Sequence, residues 1–202
     1  MSAAAPAAPQ VVLDTARLSE HTHRLAREIA DDHPDGVALV GVLKGAVVFL
    51  ADLARALGPS NPTIDFLAIS RYAPDSGRVR LLKDLDVDVT DRDVVLVEDL
   101  VDTGLTLAYL VEHVRERGAR RVEICTLLDR AARRIVPLPL RYVGEEVPGD
   151  AYLLGYGLHH RERYRNLPVV VRGDAAALAE NPDVYLDLYV ARAETGAHQA
   201  RC

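Results

Sequence analysis

The stretch Val94-Val95-Leu96-Val97-Glu98-Asp99-Leu100-Val101-Asp102-Thr103-Gly104-Leu105-Thr106-Leu107 constrains this chain more than any other. It opens with an apolar, β-branched run, Val94 to Val97, of the kind that forms a buried parallel strand. Two adjacent acids follow, Glu98 and Asp99, and then Asp102, Thr103, Gly104 and Thr106. Beyond them Leu107, Leu110, Val111 and Val114 recur at helical spacing. The order is therefore buried strand, acidic loop, helix. In an open α/β sheet, ligands bind outside the carboxyl ends of the strands, where this loop belongs.

A helix N-terminus carries unpaired N–H groups and a partial positive charge. A loop of small polar residues feeding it makes a phosphate cradle. Gly104 permits close approach of the backbone, and Thr103 and Thr106 add hydroxyl donors. Three carboxylates beside a phosphate would repel it unless they face sugar hydroxyls or a divalent cation. The combination points to a phosphorylated sugar. For Asp102-Thr103-Gly104 alone, a surface turn whose acid caps the helix is the simpler reading. No Gly-Lys-Ser/Thr follows the strand, so this is no Walker A loop.

At 202 residues the chain fits one domain with a real core. Its net charge of −6, with both signs interspersed, argues against a nucleic-acid surface. No apolar run is long enough to span a membrane. Cys125 and Cys202 make no disulfide framework, so a reducing cytoplasm is expected. Residues 1–10 are Ala/Pro-rich and read as disordered, without the basic start of a signal peptide.

A helix is expected from Thr15, with Leu18, Thr22, Leu25 and Ile29 on one face, ended by Pro34-Asp35-Gly36. His21, His23 and His33 lack metal spacing and read as solvated side chains. Val37 to Leu43 is a second buried strand, followed by Lys44-Gly45-Ala46 and an apolar helix from Val47 to Leu57. The place of Lys44 at a strand's carboxyl end favours an anion contact over a solvated lysine. Pro62 to Ile69 alternates as a strand. Ser70, Arg71 and Tyr72 open a polar loop, and Arg78 to Leu82 and Leu85 to Val89 read as short strands. Val122 to Leu128 is another strand, and the run from Asp129 to Arg134 reads as a charged, solvated turn. Tyr142 reads as a half-buried strand tyrosine, and His159-His160 as a polar rim. Val169 to Val171 is a last strand. The tail from Asp174 to Cys202 packs either on the domain or on a partner subunit.

Glu98 to Thr106 resembles the phosphoribosyl-pyrophosphate (PRPP) motif of type I phosphoribosyltransferases, the hypoxanthine-guanine branch especially. With other landmarks, the resemblance runs from about Val37 to Arg172. It implies a type I phosphoribosyltransferase fold: an α/β architecture with a central, mainly parallel sheet flanked by helices, a small hood and a flexible loop. Residues 11–173 would form this domain and 174–202 an extension. The implied activity is transfer of a 5-phosphoribosyl group from PRPP to N9 of hypoxanthine or guanine, in purine salvage, with Mg²⁺.

The resemblance also assigns roles. Glu98 and Asp99 hold the ribose hydroxyls and metal, and Asp102, Thr103, Gly104, Leu105 and Thr106 grip the 5′-phosphate. Asp102 doubles as the general acid/base near the purine N7. Lys44, Gly45 and Arg165 meet pyrophosphate, and Leu43–Lys44 matches a loop that often carries a non-proline cis peptide. Ser70, Arg71 and Tyr72 belong to the flexible hood that closes over the site. Arg130 stands where the family has a lysine for the exocyclic oxygen of a 6-oxopurine. Tyr142 matches the aromatic that covers the base and Val143 its backbone contact. An Asp that binds metal and lies near the base is assigned to Asp150, across an inserted Gly149, and His159 replaces an Asp. PRPP and a purine base are the implied partners, in a homo-oligomer (dimer or tetramer), with no nucleic acid or membrane. Arg130, Gly149 and His159 leave one alternative, an enzyme for a modified or deazapurine base; a second, that some relatives of this fold are PRPP-sensing regulators that bind nucleic acid, has the acidic balance of the chain against it.

Overall fold

The computed structural model describes residues 9–70 and 80–189. Its elements in chain order are β1 (Gln10–Leu13), α1 (Thr15–Asp32), β2 (Ala38–Leu43), α2 (Val47–Leu57), β3 (Thr63–Ser70) and β4 (Arg80–Lys83). There follow β5 (Asp93–Val101), α3 (Leu105–Glu116), β6 (Arg121–Asp129), β7 (Leu140–Glu146), β8 (Leu153–Leu154), β9 (Val170–Arg172) and α4 (Ala175–Glu180). They divide into two compact units, Arg17–Gly149 and a second made of 1–16 with 150–202.

The larger unit is a six-stranded sheet in the order β4-β3-β2-β5-β6-β7. All neighbours are parallel except β3 and β4. From β2 the chain crosses through α2 to β3 on one side, and from β5 through α3 to β6 on the other. The crossovers diverge between β2 and β5, which makes their carboxyl ends the topological switch point, the crevice where such sheets bind ligands. β5 is buried from Asp93 to Asp99, as its near-continuous apolar run requires. Leu107, Leu110, Val111 and Val114 of α3 join Val40, Val42, Leu96 and Ile124 in one core. Full burial of a side chain such as Leu110 contributes about 1.5–3 kcal/mol. That packing fixes α3 over the sheet and points its N-terminus at the crevice.

The amino ends of the same strands carry a buried polar network. Tyr142 of β7 is 1 % exposed. Its hydroxyl donates to Asp32 Oδ2 at 2.9 Å, with Glu123 Oε2 at 3.3 Å and His33 Nε2 at 3.1 Å. His33 Nδ1 lies 2.9 Å from Asp93 Oδ2, and Arg120 Nε donates to Asp93 Oδ1 at 2.8 Å. Burial, then Asp32 and Glu123, pushes the Tyr142 hydroxyl far above the ordinary tyrosine range, so it stays a donor. The hydrogen bond from Tyr142, followed by that from Arg141, holds Asp32 below the usual carboxylate range. Arg120 does the same for Asp93 against the opposing effect of burial.

This placement corrects the base-covering role implied for Tyr142. A ring enclosed by the core offers no face to a ligand. Val143 is corrected with it, because Arg24 of α1 donates to the carbonyls of Val143 at 2.8 Å and Gly144 at 3.0 Å. We expect Tyr142→Phe to lower stability by about 1–3 kcal/mol, since it removes a hydrogen bond to the charged Asp32 and takes one partner from the buried Glu123 and His33, while KM for any base stays unchanged. A urea titration with parallel kinetics checks this. A base-stacking tyrosine would leave both stability and KM unchanged, because phenylalanine keeps the ring.

Leu85 to Val89 is not a strand. Asp65 Oδ2 accepts the backbone N–H groups of Asp86 at 2.7 Å and Val87 at 3.0 Å, taking the donors that a ladder would need. Four bonds to Asp65, from Val87, Phe66, Lys83 and Asp86, outweigh burial and hold its pKa below the usual value.

The smaller unit is a three-stranded antiparallel sheet, β1-β9-β8. Gln10, which ends the stretch expected to be disordered, is the first residue of β1. Leu154, Tyr164, Leu167, Val169, Val171, Leu178 and Tyr185 form its core.

Candidate active site

Four segments of the larger unit meet at the switch point. The first is the turn after β2, Leu43-Lys44-Gly45-Ala46, whose Leu43–Lys44 peptide bond is cis. Lys44 is exposed there. The second is the end of β5, where Glu98 and Asp99 are each 7 % exposed. The turn and the acids are pressed together: a Cβ on Gly45 would sit 2.0 Å from Asp99 Oδ2. Only glycine allows this approach, which brings a main-chain anion loop against a carboxylate. Asp99 Oδ1 accepts the Leu100 N–H at 2.8 Å, which fixes its rotamer.

The third segment is the loop Asp102-Thr103-Gly104 entering α3. Gly104 is the N-cap residue at φ +88°, and among the described residues no side chain caps the helix. The capping role that Asp102 or Thr103 would fill in a bland surface turn is therefore not used. The first-turn amides and the Thr103 and Thr106 hydroxyls are left for an anion.

The fourth segment is the turn after β6. The Arg130 N–H donates to the Val101 carbonyl at 2.9 Å, and the Ile135 N–H to the Thr103 carbonyl at 3.1 Å. These bonds dock the turn onto the anion loop. Ala131–Arg133 forms one turn of 3₁₀ helix, in which residues three apart eclipse. Arg130 and Arg133 therefore converge on Asp102: Arg133 Nε lies 3.0 Å from Oδ1 and Arg130 Nη1 3.8 Å from Oδ2. Sequence reasoning singled out Arg130 and missed Arg133. The signal was the three-residue spacing, legible only to a reader who expected a 3₁₀ turn. Arg134, the next residue, pairs with Asp129.

In the smaller unit, Arg165 Nη1 donates to the Gly157 carbonyl at 2.6 Å, and Nη2 pairs with Glu162 at 3.2 Å. Asp150 has its side chain 76 % exposed and pairs with Arg172 at 2.9 Å. The His159 Nδ1 accepts the Glu162 N–H at 3.1 Å, and Tyr152 Oη lies 2.6 Å from His160 Nδ1. Ser70 ends β3 with its hydroxyl 3.4 Å from the Arg80 carbonyl. Arg71 and Tyr72 lie outside the described residues.

No group of three or more His, Cys, Asp and Glu side chains suited to a metal occurs among the described residues. Glu98 and Asp99 are nonetheless a fitting pair for Mg²⁺, which is commonly held by one or two carboxylates together with substrate oxygens. Among the described residues no helix is long and apolar enough to cross a membrane.

The switch-point crevice, with the turn after β2, the buried acids at the end of β5 and the uncapped N-terminus of α3, suits one class, the phosphoribosyl transferase domain, and the family model of that description matches residues 8–162. The hypoxanthine-guanine phosphoribosyltransferase of Mycobacterium avium is 42 % identical over 170 residues, 79 % of this chain and 83 % of the relative. The enzyme of that name from Bacillus subtilis is 41 % identical over 165 residues, 80 % of this chain and 91 % of the relative. A crystal structure of a hypoxanthine-guanine phosphoribosyltransferase from Bacillus anthracis superposes with a TM-score of 0.75 at 39 % identity, covering 81 % of this chain and 96 % of that one. The chain belongs to the hypoxanthine-guanine phosphoribosyltransferase family.

Proposed function

We propose that the chain transfers the 5-phosphoribosyl group of PRPP to N9 of hypoxanthine or guanine, releasing pyrophosphate and giving IMP or GMP. The observation that carries this reading is the close approach of Gly45, in the turn after β2, to Asp99 at the end of β5, together with the uncapped N-terminus of α3. The 5′-phosphate seats on the amides from Gly104 to Thr106 and on the Thr103 and Thr106 hydroxyls. Glu98 and Asp99 take the ribose hydroxyls. Pyrophosphate leaves toward Lys44 and the amides of its turn; the resemblance to the family assigns Arg165, of the smaller unit, to the same group. Mg²⁺ held by Glu98 and Asp99 would neutralise charge on the leaving group.

The bond from C1 to pyrophosphate breaks through an oxocarbenium-like state, as at other anomeric centres. The buried acids stabilise positive charge on the sugar. As N9 attacks, Asp102 accepts the proton from N7. Arg130 donates to the exocyclic oxygen at position 6. A guanidinium has donors only, so the amino group of adenine meets a like group there.

The test is a panel of hypoxanthine, guanine, xanthine, adenine and 7-deazaguanine with PRPP, scored by pyrophosphate release. Hypoxanthine and guanine should turn over, and adenine should be slower by at least about a hundredfold, because a buried donor is left unpaired. Turnover confined to the 7-deaza base would replace this reading with the alternative of an enzyme for a modified base, to which the Arg130 departure from the family lysine lends its weight.

A further inference from the structure

The loop that carries Arg165 is bent in a way its own residues do not favour. Arg161, Glu162 and Tyr164 have φ of +48°, +66° and +73°. None is glycine, and such residues rarely take left-handed backbone unless their surroundings impose it. Within the loop, His160 and Arg163 exchange backbone hydrogen bonds at 3.2 and 2.9 Å. Gly157 also holds it, its N–H donating to the Arg165 carbonyl at 2.9 Å and its carbonyl accepting from Arg165 Nη1 at 2.6 Å. Further restraints come from the segment after α4. The Tyr164 hydroxyl donates to the Pro182 carbonyl at 2.7 Å. Arg163 pairs with Asp183. The rings of Tyr164 and Tyr189 stack at 6.4 Å, 13° from parallel. The Tyr189 hydroxyl donates to Asn166 Oδ1 at 2.7 Å. Tyr164 and Asn166, the residues on either side of Arg165, are thus both held by this segment.

The segment that does the gripping is itself anchored. The Asp174 side chain caps α4 by accepting the N–H groups of Ala176 and Ala177 at 2.8 and 3.2 Å. Leu178 and Tyr185 are buried in the core of the unit, and the Tyr185 hydroxyl accepts the Asp174 N–H at 2.8 Å. Tyr189 therefore arrives at the loop at the end of a fixed element.

We propose that residues 182–189 form a strap that sets the Arg165 guanidinium for the pyrophosphate group of PRPP, with Tyr189 as the principal positioning residue. This rests on the assignment of Arg165 to pyrophosphate made above. Tyr189 touches no reacting atom; it acts through Asn166 and Tyr164 on the backbone that presents Arg165. A misplaced anion clamp weakens binding of the diphosphate and leaves the base alone.

The experiment uses the full chain and four variants: Tyr189→Ala, Tyr189→Phe, Arg165→Ala and the double Arg165→Ala/Tyr189→Ala. Initial rates with PRPP and hypoxanthine, together with inhibition by pyrophosphate, give KM for each substrate, kcat and Ki. Tyr189→Ala should raise KM for PRPP and Ki for pyrophosphate by about tenfold, with KM for hypoxanthine within about twofold. Tyr189→Phe keeps the stack and loses only the bond to Asn166, so it should fall between. In the Arg165→Ala background, removing Tyr189 should add nothing, because the two act on one interaction.

A merely structural tyrosine would lower the folded fraction or kcat and would add to Arg165→Ala in full; either result overturns the proposal. So does an unchanged KM for PRPP in Tyr189→Phe and Tyr189→Ala. Arg165→Ala without effect on KM for PRPP would remove the strap's target while leaving the transferase reading intact. Wild-type chain that makes no nucleotide from PRPP and any base of the panel would remove both.

Discussion

Alanine at position 102 will lower kcat with hypoxanthine by about 10²–10⁴-fold, the usual contribution of a positioned general base, while KM for PRPP moves little. The asymmetry follows from the division of the acids. Glu98 and Asp99 are buried at the end of β5, and the proposed reaction gives them the sugar. Asp102 is one step further out, half exposed, and held between Arg133 and Arg130. Its carboxylate pairs with the turn expected to read the base. Removing it deletes the acceptor for the N7 proton and leaves the helix N-terminus as it was. It also frees two guanidinium groups, so Asp102→Asn serves as the companion variant. That change keeps the shape and loses the basicity, and should be nearly as slow. Pre-steady-state nucleotide formation separates chemistry from product release. Turnover of either variant within about threefold of wild type would remove the general-base role.

Gly45→Ala should damage the site through a single added methyl group. The added Cβ would stand 2.0 Å from Asp99 Oδ2 and 2.5 Å from its Cγ. Such overlap must be relieved by movement of the main-chain turn or of the acid. Asp99 has little freedom, being buried and bound to the Leu100 N–H. Overpacking of this kind costs about 1–3 kcal/mol, and either way of relieving it pulls apart the ribose and pyrophosphate halves of the site. We expect KM for PRPP to rise by at least about tenfold, with kcat reduced as well, because misplacement of about 1 Å is enough for effects of that size. The informative control is Asp99→Ala. With the carboxylate gone there is room for the methyl group, so Gly45→Ala should do little further harm in that background. Full additivity would show that the glycine matters for some other reason.

The parts of the fold that could be read in the sequence are those whose signals are local. β5, its acidic loop and α3 follow one another within a few turns of chain, and apolar run, breaker and helical period coincide there. β2 with α2 was legible for the same reason. What failed depended on partners distant in sequence. The alternation in β7 shows that one face is buried but not what buries it. His33, Asp32 and Glu123 take Tyr142 into the core, and Arg24 closes over the Val143 carbonyl. Leu85 to Val89 has the composition of a strand and loses its donors to Asp65. Arg133 was hidden in a run of charge, since only the 3₁₀ turn tells which arginine faces Asp102. The first strand begins at Gln10, against a leader whose Ala/Pro composition gives no sign of it.

The polar network at the amino ends of β5, β6 and β7 lies at the opposite edge of the sheet from Glu98, Asp99, Asp102 and Arg130. The same strands thus carry their anchorage at one end and their chemistry at the other. A lineage can exchange side chains in the turn after β6 without disturbing what secures the strands. Arg130, where the resemblance implies a lysine, would be an exchange of that type. In such an architecture a change in the turn can alter the chemistry while the anchorage of the strands stays as it is.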